Sequence, residues 1–123
     1  MNNENRLKVA TIFEELRKKC ANDLNPAEAS RLLVAISSLY GTLIDIFIDA
    51  QMDYNRKYEA FADEVEKITE ARARAEASDE YEQQLRWEGK VKVCGELIDS
   101  LKYLLKVKLD DWETLLGVRD RDS

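Results

Sequence analysis

The run NPAEASRLLVAISSLYGTLIDIFIDAQMDY, residues 25–54, decides the fold. Asn25 can cap a helix, Pro26 suits its first position, and Glu28 stands three residues beyond the cap, the spacing of a capping box. Behind that start Leu33, Ile36, Tyr40, Leu43, Phe47, Ala50 and Tyr54 recur by threes and fours, which lines one face of an α-helix. After one step of four the pattern resumes as Tyr58, Phe61, Val65, Ile68, Arg72 and Ala75, and no proline interrupts it. The spacing predicts a single helix over 26–77, about 75 Å long, with a stutter near Tyr54 that locally unwinds any supercoil.

Working outward, Val9, Phe13, Leu16 and Cys20 predict a first helix over 5–20, with Arg17, Lys18 and Lys19 complementing its carbonyl end. Ala21 to Leu24 connect it to the second. Ser78 can cap a third helix over 79–116, whose first turn holds Asp79, Glu80 and Glu82. Trp87, Val91, Cys94, Ile98, Leu101, Leu105, Trp112 and Leu115 form its seam, and Gly117 is a suitable terminator before the tail 117–123. Pairing Ile68 with Trp87, Val65 with Val91, Phe61 with Cys94, Tyr58 with Ile98 and Tyr54 with Leu101 places a hairpin turn at Ala77-Ser78-Asp79. The expected architecture is all-α: one 1–123 domain, a long antiparallel coiled-coil-like hairpin with a short N-terminal helix packed at its base.

Composition agrees with that class and removes several functions. Among 123 residues there are one proline, four glycines and 36% charged residues, which suits long helices and not a sheet. The absence of histidine removes Ser-His-Asp and Cys-His catalysis and the usual zinc sites. No glycine-rich phosphate loop or dinucleotide fingerprint occurs. Cys20 and Cys94 both fall on apolar helical faces and read as core thiols of a reducing compartment. No signal peptide is read at the N-terminus, and Ser37, Ser38, Thr42 and Asp45 interrupt the apolar run 32–48, so no membrane span is expected. No cofactor is expected, and the chain reads as a non-enzyme.

The net charge of −6 disfavours general nucleic-acid binding and leaves DNA mimicry with charge as its only warrant. Arg72, Arg74, Arg86, Lys90 and Lys92, with Tyr81 and Trp87, could grip a single strand, but Glu70, Glu76, Glu80, Glu82 and Glu88 are interleaved with them. Glu59 and Asp63, with Glu96 and Asp99, reach similar heights in the predicted pairing and could hold Mg²⁺. They resemble part of the acidic pattern of all-helical nucleoside triphosphate pyrophosphatases but lack the doubled glutamate motif that precedes it. Gly89 and Gly95 each cost about 1 kcal/mol against alanine inside a helix and are consistent either with open surface or with close approach of another helix. Leu97 and Tyr103 flank the third helix's seam, and Leu32, Val34, Leu39, Ile44, Ile46, Ile48, Leu104 and Leu109 leave apolar surface outside it. A homo-oligomer, dimer or higher, is expected through Leu32, Leu39, Ile44, Ile46, Ile48, Leu104 and Leu109.

The segment Ala71-Arg72-Ala73-Arg74-Ala75-Glu76-Ala77-Ser78, then Tyr81, then Glu96-Leu97-Ile98-Asp99-Ser100-Leu101-Lys102, resembles small phage-encoded helical accessory proteins over residues 71–113. That resemblance implies a bacterial cytoplasm and action by binding one host or phage protein. The expected function is a non-enzymatic protein-binding module, a phage-encoded modulator or inhibitor of a host nuclease or defence complex. Its contact candidates are Asp63, Glu66, Glu70, Arg72, Arg74, Arg86 and Lys90. The alternatives are an accessory of phage DNA replication or recombination and the Mg²⁺-dependent pyrophosphatase.

Overall fold

A computed structural model describes the backbone of residues 2–116 and the side chains of 2–111. Trp112, Leu115, Gly117 and the tail, given roles above, lie outside the described side chains. The described chain is helical throughout, with no strand: α1 (Asn3–Cys20), α2 (Pro26–Glu64), α3 (Ile68–Glu76) and α4 (Asp79–Leu116).

Local chemistry accounts for the helix starts. Asn2 caps α1 by accepting from the Asn5 N–H at 2.8 Å. The Asn25 side chain accepts from the Glu28 N–H at 2.8 Å while Glu28 reaches back to the Asn25 N–H at 3.5 Å, the reciprocal box that the sequence predicts. The Ser78 hydroxyl oxygen accepts from the Tyr81 N–H at 3.3 Å, at the start of α4.

The second helix is not continuous over 26–77. It runs unbroken through Tyr54, with no interruption at the stutter, and stops at Glu64 after 39 residues, about 58 Å. Val65 is extended there (φ −123°, ψ 152°), and the chain re-enters a helix at Ile68. This break at Val65–Lys67 is the hairpin turn, not Ala77-Ser78-Asp79. Five contacts show it: Glu64 with Arg74, Tyr54 with Tyr81, Tyr40 with Gly95, Ile36 with Cys94, and Asp23 with Lys108. The midpoint of every one of these pairs falls between positions 65 and 69. The return arm is therefore α3 followed by α4, both antiparallel to α2, with a joint at Ala77-Ser78.

The pairings centred on residue 78 are accordingly displaced by about six turns: Tyr54, expected opposite Leu101, meets Tyr81. Ile68, expected opposite Trp87, is 66% exposed, and the buried face of α3 is Ala71 and Ala75. Trp87 is buried instead in the main core with Cys94, Ile98 and Leu101 of α4 and Ile36, Leu43 and Ile46 of α2. Each large apolar side chain so buried contributes roughly 1.5–3 kcal/mol before entropy is counted. α1 docks on the same core through Phe13, which is 1% exposed, with Val9, Ala10, Leu16 and Cys20 around it. The N-terminal helix thus lies along one flank of the open part of the hairpin, as expected.

Candidate interaction surface

The closed end of the hairpin gathers Asp63, Glu66 and Glu70, three of the acidic contact candidates, and all are exposed. Glu59, Glu64 and Glu76 are exposed there as well. Residues 59–76 hold six carboxylates against Lys67, Arg72 and Arg74, so half of the chain's net charge sits on this end. Arg74 is spent inside the cluster, donating to Glu70 at 3.0 Å and lying 4.0 Å from Glu64. Ile68 stands among these charges with two thirds of its surface in water.

The basic patch read near the tip does not assemble as a cationic surface. Arg86 donates to Glu82 at 2.6 Å. Lys90 is largely covered: its ammonium lies 3.8 Å from Glu14 and 5.8 and 5.7 Å from the Phe13 and Trp87 ring centres. It is a clamp between α1 and α4, not a free contact residue. Arg72 remains exposed at the tip. Trp87 is core, with its indole N–H donating to Gln83 at 3.2 Å.

The two carboxylate pairs considered for Mg²⁺ are also separated. Asp99 shares a groove with Ser37 and Tyr40, and Gly95 touches Tyr40, whereas Glu59 and Asp63 sit near the closed end. From Tyr40 to Glu59 is about 28 Å of helix. No group of three or more metal-type ligands converges among the described residues.

Two adjoining open clefts, of about 550 and 510 Å³, surround Arg6 where the start of α1 meets α2 and α4. Arg6 reaches Asp53 at 3.4 Å, and Asp53 also accepts from Arg56 at 3.1 Å. The Arg6 Nε is buried without a partner. With Lys57, Asp79 and Glu80 also lining the clefts, their charges are balanced by the chain itself.

The apolar surface outside the seam divides in two. Leu32 and Ile46, expected at an oligomer interface, are buried in the chain's own core. Leu39, Ile44 and Leu104 are half-buried, while Ile48 and Leu109 are exposed. Val34 and Met52 continue the exposed apolar strip on the back of α2. By length and composition α2 is apolar enough to cross a membrane; Ile36, Leu43 and Ile46 are buried in the core, but only 22% of its most apolar window is buried within the chain. Gly89 faces open space.

Both cysteines are thiols. Cys94 is fully buried and donates weakly to the Ile36 carbonyl at 3.7 Å. Burial, with a smaller contribution from Cys20, pushes its thiol up to about 11, and burial raises Cys20 as well. Cys94 is a core thiol, as the sequence predicts, whereas Cys20 is half-buried against the same core; burial disfavours the thiolate of both.

Comparison with family models, curated proteins and solved structures gives no match.

Proposed function

We propose that the chain is a non-enzymatic protein-binding module that presents the closed end of its hairpin to a basic partner surface. The observation that carries this reading is Ile68, two-thirds exposed at a closed end where the exposed carboxylates Asp63, Glu64, Glu66 and Glu70 outnumber Lys67 and Arg72. An exposed aliphatic anchor in a net-acidic surface suits a site where charge steers the encounter and apolar burial holds it. Rim charges of this kind act chiefly on association rate and on salt dependence. The basic groove of a nucleic-acid-handling protein has the matching chemistry. In that form the protein is a phage-encoded modulator of a host nuclease or defence complex, acting by steric blockage in the bacterial cytoplasm.

The test is recovery of a stoichiometric partner from bacterial lysate at low salt, with the full chain as bait. Ile68→Ser and the pair Asp63→Lys/Glu66→Lys should each abolish recovery while leaving the helical circular dichroism unchanged. Failure to recover any stoichiometric partner, or recovery indifferent to both variants, counts against the reading.

A further inference from the structure

α1 covers only one flank of the α2–α4 pair. The opposite flank is an open groove of about 390 Å³ lined by Ser37, Tyr40, Gly95, Ile98, Asp99 and Lys102, with no residue of α1. Helical spacing continues it along Ile44 and Ile48 of α2 and Val91 of α4, which are half-buried or exposed. Gly95 lines this flank. A Cβ there would meet only the Tyr40 side chain at ordinary contact, 3.7 Å or more, so packing within the chain does not require the glycine. Its bare backbone leaves room for close approach by another helix.

Charge identifies what approaches. Two chains of net charge −6 repel, except through a face whose own charge is balanced. On this flank Glu88 and Asp99 are offset by Lys102 and Lys106, all exposed. Glu88 and Lys102 stand seven residues on either side of Gly95, two helical turns each way. A two-fold axis at Gly95 therefore sets Glu88 against Lys102 of a second copy, twice over. A partner attracted by acidity finds its match at the hairpin tip, not here.

We propose that this flank is a homodimer interface, in which two copies meet antiparallel across Gly95 and bury Tyr40, Ile44, Ile48 and Val91 of each. The interface is isologous, so each contact is made twice. It is independent of the tip reading, and tip variants leave it intact.

Light scattering and sedimentation of the full chain test it. The 14.2 kDa chain should run at about 28 kDa, and Gly95→Arg/Ile48→Glu should return it to 14.2 kDa with unchanged helical circular dichroism. Glu88→Lys and Lys102→Glu should each weaken dimerisation about tenfold, and the two together should restore it. These exposed swaps decide the matter even if the first variant fails to fold. A wild-type chain that stays at 14.2 kDa into high micromolar concentration overturns the proposal, as does a dimer that ignores every one of these variants. Monomeric protein that sediments with phosphatidylglycerol vesicles, and loses this with Ile48→Glu, assigns the flank to a bilayer instead.

Discussion

Truncating Phe13 to alanine tests whether α1 belongs to the core. Phe13 is the one side chain of α1 that is fully buried; Val9, Ala10, Leu16 and Cys20 beside it are only partly covered. Removing a buried phenylalanine ring costs about 3–5 kcal/mol, transfer and cavity together. The Lys90 ammonium, 5.8 Å from the ring centre, also loses one of its two aromatic faces, about 0.5–1 kcal/mol more. A chain of this length is expected to have a total stability on the order of 6–18 kcal/mol, so the loss is a sizeable fraction. An undocked α1 of 18 residues is a marginal helix in water, so it should melt locally before the α2–α4 pair does. Urea unfolding followed by far-ultraviolet circular dichroism should show a lower midpoint and a smaller starting helical signal. Phe13→Leu, which keeps most of the apolar volume, should cost no more than about 1.5 kcal/mol. A Phe13→Ala variant within about 0.5 kcal/mol of wild type, with full helicity, would refute the docking of α1.

Other variants probe the remaining elements. Asn25→Ala removes the reciprocal cap of α2 and should cost about 1 kcal/mol in urea unfolding. Ala75→Leu should cost about 1–3 kcal/mol by overpacking the buried face of α3, whereas Ile68→Ser should be neutral within about 0.5 kcal/mol. The reverse order would restore the hairpin turn to residue 78. The Cys94 thiol, held near 11 in the fold, binds its proton more tightly than in the unfolded chain, whose thiol titrates near 9. Its contribution is complete below pH 9 and is lost as pH rises toward 11, at about 1.4 kcal/mol per pH unit at most. The alkaline fall in stability should therefore be shallower for Cys94→Ala than for wild type, measured by urea midpoints across that range.

The parts of the fold legible in sequence were those written in large apolar residues and caps. The Asn25–Glu28 box, the Ser78 cap, the face of Ile36 and Leu43, and the core placement of Cys94 and Trp87 all follow from residue type and spacing. The register did not, because α3 packs through Ala71 and Ala75, whose small side chains barely register in a hydrophobic pattern. Ile68 and Arg72 continued the seven-residue repeat by number alone. Local chemistry also conceals the turn. No glycine or proline marks it, α2 has no cation in its last turn, and Asp63 and Glu64 oppose the helix dipole at that end. Nothing local stops α2 at Glu64; tertiary packing of α3 outweighs the local preference, and Arg74 at 4.0 Å from Glu64 relieves part of the charge. Once the turn moved, the Mg²⁺ candidates separated and Lys90 became a clamp, since both readings had borrowed their geometry from the pairing. The acidic tip needed no register and kept its members together.

The register also fixes how the two proposed surfaces relate. Tyr40, at the centre of the dimer flank, and Glu64, at the closed end, are 24 residues apart on one helix, about 36 Å. An antiparallel dimer across Gly95 therefore points its two acidic tips in opposite directions, on the order of 70 Å from one another. One basic groove cannot receive both. The dimer instead bridges two partner molecules, or two sites on a symmetric partner, and gains avidity only where those sites match that span. Dimer-weakening swaps at Glu88 or Lys102 should then leave the affinity of a single tip unchanged for an isolated partner subunit, while reducing retention on a surface densely coated with it. Equal retention of wild type and Glu88→Lys on such a surface would separate the two proposals, leaving tip binding as the act of a single chain.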